Sequence, residues 1–514
     1  MRRGTNIVQN DFSGGLHTTG ANTEISTNEA SDLSNIIIGP DGDYIRTKGG
    51  NTLFNSSAMN SGANVQSLSY LKLINGNDFL VSICGDKIFK ADNLDGTMDD
   101  VTGAVSITAG QNNIWTFLTF NNVHIGFGGP STGPDTPIQY TGSGNAAALS
   151  GTPPSAYGAI QANNRVFAFR TAASPSIVQW CILGNAQDWT GTGSGSQTIS
   201  TSDNDSVSAM ALMSDSLALV FKQNSVHKLL INTLVSGAFP TFPLFRGFGC
   251  AGKHAAVVAN GLCFFITNKG KMKITDGERI VGDEELPQLS FVDDLWNTMN
   301  STRYEYIQGK YVFGQDYEHI VWLMTSTAAG TTHDTLLIWD IRNKCWLRNK
   351  TGYKMNVICT TQTGAIYTGN YAGQIYLQDV DSVTTEASES SANIYSYWTT
   401  GWNPYGNLQP VKSVTETNIS YLTQTIGNID FSWGYNFNSF QRTISIDQRS
   451  SGGIIGVFVI GTGVLGGPSD KISKINTLGN GQVFQYRIGC NTSKMKINNL
   501  NFLVNGIHSS SKAA

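Results

Sequence analysis

Charge and long apolar runs are both scarce in this 514-residue chain. Only 14% of the residues are charged, and 33 Lys and Arg against 37 Asp and Glu give a net charge of −4. This balance removes any global electrostatic argument for binding nucleic acid or a membrane surface. The most apolar segment, residues 454–466, is short and contains four glycines. We expect it to form a strand and a bend rather than a membrane-seeking loop, and we expect no stable membrane insertion.

Cysteine and histidine are few and scattered. The seven cysteines are an odd number and mostly lie in apolar strand patterns, which predicts buried free thiols in a protein that folds in a reducing compartment. The seven histidines show no zinc-ligand spacing, no Gly-x-Ser-x-Gly elbow is evident, and nothing selects a carboxylate pair. The sequence therefore predicts no enzyme, no cofactor and no metal site.

One segment partly matches a phosphate-binding loop. Gly247-Phe-Gly-Cys-Ala-Gly-Lys253 has the glycines and the lysine, but His254 stands where Ser or Thr would hold magnesium. The apolar residues that follow predict a strand, whereas phosphate binding needs a helix N-terminus there. We therefore expect no nucleotide site.

Glycine and aromatic residues are abundant, with 56 Gly, 24 Phe, 18 Tyr and 10 Trp. This composition is typical of many short strands joined by tight turns. Units of three or more such strands recur at a period of roughly 43 to 52 residues, the range of β-propeller blades. The seven units begin near Ser67, Ile114, Tyr157, Val207, His254, Tyr306 and Met355.

The predicted fold is all-β: a six- or seven-bladed β-propeller with an N-terminal closing segment and a C-terminal β-sandwich-like domain. In the N-terminal segment, Ser26 and Glu29 form a capping box that predicts a short helix, and residues 36–45 read as a hairpin that could pair with the last blade. The predicted regions are 1–60 (arm, helix and hairpin), 61–380 (propeller, with insertions at 126–154 and 286–303), 381–392 (linker) and 393–514 (C-terminal β-rich domain).

Six tryptophans fall within or just after the blade strands. Packing between blades is the simpler explanation, and stacking on a glycan is the alternative. They are Trp115, Trp180, Trp189, Trp322, Trp339 and Trp346.

Short motifs at both ends of the chain resemble those of the tail nozzle (tail tubular protein B-like) family of short-tailed bacteriophages. Near the N-terminus they are Asp11-Phe-Ser-Gly-Gly-Leu16, Asn28-Glu-Ala30, Asn35 and Arg46-Thr-Lys-Gly49. Weaker matches are Arg246-Gly-Phe-Gly-Cys250 with the strand at 260–266, Trp398-Thr-Thr-Gly-Trp402 before Lys412, and Gly481-Gln-Val-Phe-Gln-Tyr-Arg487. The two residues between Arg46 and Gly49 depart from the family pattern.

This resemblance implies a structural protein of the virion tail that is synthesised and assembled in the host bacterial cytoplasm. It implies a homo-hexameric ring below the portal and its adaptor, with tail needle, fibre or tailspike proteins as further partners. The ring would surround a channel that retains the genome and conducts it during ejection, through transient, sequence-independent contact with double-stranded DNA. A low charge suits a channel in which DNA slides.

Phe12, Gly14, Gly15 and Leu16 are our candidates for a contact with another subunit or the adaptor, because a flexible Gly-Gly arm beside an exposed aromatic residue suits docking. The alternative is that they anchor the start of the chain. Two other functions also stay open: a glycan-binding or glycan-cleaving propeller that recognises a receptor, and a kelch-like interaction scaffold.

Overall fold

Strands dominate the chain, as its glycine and aromatic content predicts. The computed structural model describes residues 4–200, 203–232, 238–385, 394–406, 411–424, 427–449, 470–491 and 494–507. The apolar segment 454–466 and residues 386–392 of the predicted linker lie outside the described residues. Within the described part, no helix is both long enough and apolar enough to cross a membrane.

Six short strands occupy the N-terminal region. They are β1 (Thr5–Gln9), β2 (Gly15–Leu16), β3 (Glu29–Ser34), β4 (Ile36–Ile38), β5 (Ile45–Thr47) and β6 (Gly50–Leu53). The first five pair with one another or with strands from the C-terminal region, whereas β6 pairs with the propeller. The chain start is therefore divided between two parts of the fold.

Five four-stranded antiparallel blades follow in sequence, each with its strands in chain order. Blade 1 comprises β7–β10 (Val65–Lys72, Asp78–Cys84, Lys87–Asp92, Asp99–Asp100) and blade 2 comprises β11–β14 (Trp115–Phe120, Val123–Gly128, Ile138–Tyr140, Ala147–Ala148). Blade 3 comprises β15–β18 (Ala156–Ala162, Arg165–Thr171, Ile177–Trp180, Gly195–Thr198) and blade 4 comprises β19–β22 (Val207–Ser214, Leu217–Lys222, Ser225–Leu230, Thr241–Arg246). Blade 5 comprises β23–β26 (Ala256–Ala259, Leu262–Ile266, Met272–Thr275, Ile280–Val281).

Blades 6 and 7 share one long strand. Blade 6 contains β27 (Gln308–Phe313), β28 (Glu318–Met324), β29 (His333–Asp340) and the first part of β30 (Cys345–Thr360). The second part of β30 begins blade 7, which continues with β31 (Ile366–Asn370) and β32 (Ile375–Val380). Strand β6 supplies the outer strand of blade 7 by pairing antiparallel with β32.

The innermost strands contact one another in succession, and the second part of β30 contacts β7 to complete the circle. The predicted β-propeller is thus confirmed, and the described residues form seven blades. An N-terminal strand completes the last blade, so the edge of that blade is paired rather than exposed.

The C-terminal strands build two further sheets with the N-terminal ones. The strands are β33 (Ser396–Thr400), β34 (Val411–Leu422), β35 (Asn428–Tyr435), β36 (Arg442–Asp447), β37 (Asp470–Ile475), β38 (Phe484–Cys490) and β39 (Lys496–Ile507). One sheet has the order β37-β34-β39-β5-β4 with β1 also on β39, and the other has the order β2-β3-β33-β38-β35-β36. Phe502 of the first sheet contacts Phe484 and Tyr486 of the second. Strands from both ends of the chain thus share these sheets, and a separate C-terminal sandwich stays a prediction.

The helix predicted after Ser26 is wrong, because Glu29–Ser34 form strand β3. Half of the predicted capping interaction exists: the Ser26 N–H donates to Glu29 Oε2 at 3.0 Å. The following residues nevertheless pair with β2 on one side and β33 on the other. Ladder bonds to both neighbours and the burial of Ala30 and Leu33 outweigh a local helix signal.

Three other sequence-level assignments differ in detail. The hairpin at residues 36–45 forms, but it pairs with β39 rather than with the last blade. The segment 126–154, predicted to be an insertion in the propeller, contains the outer strands of blade 2. The insertion at 286–303 does contain a short helix, α1 (Asp293–Thr298), preceded by a 3₁₀ turn at Pro287–Ser290 and followed by another at Ser301–Tyr306. A further 3₁₀ turn spans Met59–Gly62.

Candidate functional site

A cluster of polar side chains occupies one end of the propeller axis, where the innermost strands begin. We call this end the axial entrance. Its side chains come from the segments just before the inner strands of blades 2, 5 and 6, from the start of β15 and from the end of β16. They belong to Asn112, Tyr157, Arg170, Lys253, His254, Arg303, Glu305 and Tyr306.

Lys253 reaches from blade 5 to two other blades. Its Nζ donates hydrogen bonds to the carbonyl oxygens of Ile114 and Tyr157, at 2.5 and 2.8 Å, and lies 4.1 Å from the centre of the Tyr157 ring. The residue is buried, and burial, with the charge of Arg170 as a second cause, lowers the pKa of Lys253 to about 7. Lys253 therefore links blades 2, 3 and 5 through two carbonyl oxygens and an aromatic ring.

Glu305 is the acidic residue of this cluster. Its Oε1 accepts hydrogen bonds from the Tyr157 hydroxyl at 3.4 Å and from Arg170 Nη1 at 3.2 Å. The Arg170 guanidinium also lies 4.6 Å from the centre of the Tyr157 ring. Arg170 has a φ of 57°, a left-handed conformation that is costly for a residue with a side chain and that clusters at ligand-binding positions.

Two contacts cross the axis between blades 5 or 6 and blade 2. The guanidinium of Arg303 donates to the amide oxygen of Asn112, a residue 191 positions away in the chain. His254 Nε2 lies 3.4 Å from the Thr116 hydroxyl. Burial lowers the pKa of His254 to about 3, so this ring is neutral at physiological pH. Together with Lys253, these side chains close the axis at this end.

The axial entrance combines the basic side chains of Lys253, Arg170 and Arg303 with the carboxylate of Glu305 and the neutral imidazole of His254. In the described parts of the chain, no group of three or more His, Cys, Asp or Glu could hold a metal ion. The segment Gly247–Lys253 does not lead into a helix, because Ala256–Ala259 form the inner strand of blade 5.

The tryptophans contribute to packing rather than to an exposed surface. Five of the six singled out from the sequence are at most 2% exposed: Trp115, Trp180, Trp322, Trp339 and Trp346. Trp189 is partly buried and contacts Phe127. Buried indole rings have no free face for a glycan, so the structure favours the packing explanation for these five.

Three of the four candidate contact residues near the N-terminus, Phe12, Gly15 and Leu16, are buried, and Gly14 is half-buried. Phe12 is 0% exposed and meets Trp398 edge to face at 5.5 Å, which corrects the expectation of an exposed aromatic residue. Gly14 N–H donates to Asn28 O, and Leu16 is also fully buried. Gly15 has a φ of 62°, and a Cβ there would lie 2.6 Å from the carbonyl oxygen of Trp346.

Packing against blade 6 and β33 fixes the segment that we expected to be a flexible arm. Its suggested contact with another subunit or an adaptor stays a prediction.

Several motifs that are far apart in the sequence meet in the two shared sheets. Phe12 contacts Trp398, and Lys412 and Gly481 exchange two backbone hydrogen bonds at 2.8 and 2.9 Å. Arg46 binds Asp316 of blade 6 through two hydrogen bonds, both 2.8 Å, and this pairing holds the pKa of the Asp316 carboxyl below its usual value. The motifs near the two chain ends therefore form one connected junction with the propeller.

Comparisons with known proteins find similarity to solved structures at low sequence identity. No family model and no curated protein matches this chain. Among solved structures, it is similar to the WD40 β-propeller domain of Doa1, with 12% identity and a TM-score of 0.41 over 67% of this chain and 99% of that chain. It is also similar to BamB from Moraxella catarrhalis (10% identity, TM-score 0.38, 74% of this chain and 99% of that chain) and to virginiamycin B lyase from Staphylococcus aureus (11%, 0.41, 64% and 99%). At such identities and scores the likeness carries no inference about activity.

Sequence reasoning missed the axial entrance. It treated Lys253 only as the lysine of an imperfect phosphate loop and did not single out Arg170, Arg303 or Glu305. The available signal was positional: a lysine inside the apolar run 250–259, directly before an inner strand, is unusual because a buried ammonium needs partners.

Proposed function

We propose that this protein is a structural component of a short phage tail, a nozzle subunit that forms, with other copies, the channel for genomic DNA. The observation that carries the proposal is the meeting of the resemblance motifs in one junction. Phe12 contacts the Trp398 ring, and Lys412 and Gly481 form backbone hydrogen bonds with each other. Arg46 donates a hydrogen bond to Asp316 of blade 6. Motifs shared for a structural reason are expected to contact one another, whereas chance matches have no reason to do so.

In this proposal the conduit lies between subunits and not along the propeller axis. Lys253, His254 and Arg303 reach across the axis, so DNA has no path through a single propeller. The blades instead act as rigid walls, because buried tryptophans pack within them and β6 completes the last blade. The net charge of −4 is consistent with a wall along which DNA slides.

The proposed partners are five further copies of the chain, a portal adaptor above the ring, and needle, fibre or tailspike proteins. The proposed location is the virion tail, after synthesis in the host bacterial cytoplasm. No enzymatic role is proposed.

The test measures the copy number and shape of the assembly. Native mass spectrometry and electron microscopy of the purified full chain, alone and with virion proteins, should give six copies arranged around a central channel. Six copies per particle in purified virions should follow. A stable trimer at the end of a fibre, hydrolysis of a host glycan, or a monomer that never associates with virions would each reject the nozzle.

A further inference from the structure

An open cleft of about 540 Å³ lies where the propeller meets the shared sheets, and we call it the junction cleft. Its propeller wall includes the turn residues 313–317 of blade 6 and 363–365 of blade 7. Its sheet wall includes residues 46–47 of β5, residues 494–496 at the start of β39, and Gln424 just after β34. This volume, and a position between two parts of the fold, are both typical of ligand-binding sites.

The charged side chains of the junction cleft balance one another. Among the described residues that line it, the cations are Arg46, Lys494 and Lys496, and the carboxylates are Asp316, Asp379 and Asp381. Arg46 donates two hydrogen bonds of 2.8 Å to Asp316, and Lys494 donates one of 3.2 Å to Asp381. Asp379 accepts from a tyrosine hydroxyl at 2.7 Å and from a backbone N–H at 2.8 Å. A lining with no net charge and with engaged carboxylates gives little advantage to an ionic ligand.

The groups that remain for a ligand are mostly uncharged. Gln315 is exposed and Gln424 is half-buried, and their side-chain amides make no hydrogen bond with any described residue. Each carboxamide offers both donors and an acceptor. The Phe313 ring is 41% exposed at the same cleft and contacts the ring of Tyr311 at 5.8 Å. This combination matches a molecule that has an apolar face and many hydroxyl groups.

We propose that the junction cleft binds a neutral oligosaccharide. The C–H face of a sugar ring packs on Phe313, while its hydroxyl groups donate to and accept from the carboxamides of Gln315 and Gln424. A peptide strand fits less well, because on the sheet side β5 and β34 are already paired along both edges and offer no backbone ladder. The site lies within one chain and is independent of the proposed nozzle role.

The binding test uses the purified full chain, isothermal titration calorimetry and tetrasaccharides of equal length. The neutral probes are maltotetraose, cellotetraose, mannotetraose and acetylated chitotetraose, and the charged controls are tetragalacturonate and deacetylated chitotetraose. At least one neutral probe should bind saturably and more tightly than both controls. The proposal is overturned if no neutral probe binds, if a charged control binds more tightly, or if only an uncharged Ser-Gly-Ser-Gly peptide binds.

The variants compare two exposed phenylalanines. Phe313→Ala should weaken binding of the best neutral probe by at least about tenfold, because the sugar loses its aromatic platform. Phe242→Ala, at a 51% exposed ring on β22 outside the cleft lining, should leave the affinity unchanged. Gln315→Ala and Gln424→Ala should each cost about two- to tenfold through lost hydrogen bonds, and they cover the case in which Phe313→Ala does not fold. Unchanged affinity in both glutamine variants would place the sugar elsewhere and contradict the site.

Salt dependence separates a neutral sugar from an ionic ligand without any variant. The Nζ of Lys496 lies 3.7 Å from the centre of the Tyr44 ring and makes no ion pair with a described residue, so this lysine is the group that an anionic ligand would reach. The affinity for the neutral probe should be the same at low and at high sodium chloride, because no ion pair forms on binding. A marked fall with salt would show that charge holds the ligand and would refute the proposal.

Discussion

Replacing Lys253 by methionine tests whether a lysine with a depressed pKa links three blades. Methionine keeps the approximate length of the side chain but removes the ammonium, so the carbonyl oxygens of Ile114 and Tyr157 lose their donor. Each buried carbonyl left without a partner costs about 1–3 kcal/mol. The variant should therefore be less stable than the wild type by about 2–6 kcal/mol above pH 10.5, where Lys253 is neutral in both the folded and the unfolded chain.

The pH dependence of this difference is the sharper signature. The unfolded chain keeps the Lys253 proton up to a pKa near 10.5, whereas the folded chain releases it above about pH 7. Between these values the unfolded chain binds more protons, so wild-type stability gains up to about 1.4 kcal/mol per pH unit from this group. Below pH 7 both the folded and the unfolded chain carry the charge, so the stability difference between Lys253 and methionine is at its smallest and no longer changes with pH.

The assay is urea unfolding, followed by tryptophan fluorescence, at pH 6, 7, 8 and 9 for the wild type, Lys253→Met and the exposed control Lys72→Met. Buried thiols such as Cys84 and Cys250, whose pKa values burial raises to about 12, reduce stability at high pH equally in all three proteins. The difference in unfolding free energy between the wild type and Lys253→Met therefore reports the contribution of Lys253 alone. If the gap between wild type and Lys253→Met is the same at every pH, the assigned pKa is refuted.

Three further predictions concern the closure of the propeller, the N-terminal anchor and the cysteines. Asn55→Ala removes the side chain that binds Gly373 O and Ile375 N–H beside β6, and urea unfolding should show a loss of about 2–4 kcal/mol, against little change for the exposed control Asn77→Ala. Gly15→Ala combines a φ of 62° with a backbone clash and should lower stability by about 3 kcal/mol or more, whereas Gly76→Ala, with a φ of 93° and open space, should cost about 1 kcal/mol; equal losses would contradict the clash. All seven cysteines are buried and free, so a thiol reagent should label none of them in the native protein and all of them in urea; rapid native labelling would show that the blades open.

Much of the propeller could be predicted because its information is local. Glycines in tight turns, two-residue alternation of apolar side chains and the recurring unit length describe single hairpins, and each blade is a stack of such hairpins. The blade number was open because the sixth and seventh units share β30, so no turn separates the outer strand of blade 6 from the inner strand of blade 7.

The candidate site could not be predicted in the same way. Arg303 and Asn112 are 191 residues apart, and Lys253 binds carbonyl oxygens 139 and 96 residues away. None of these residues forms a motif with its chain neighbours. Their proximity is created by the closure of the circle of blades, which brings the starts of the inner strands together at one end of the axis.

The sequence by itself determined the class of the fold, the free cysteines and the turn positions, because each depends on residues adjacent in the chain. Only the tertiary structure decided which strands pair across long distances. It made Glu29–Ser34 a strand in spite of a capping box, because β2 and β33 flank it, and it used β6 to complete the last blade. It also buried Phe12, since the hydrophobic contact with Trp398 exists only after the two ends of the chain have met.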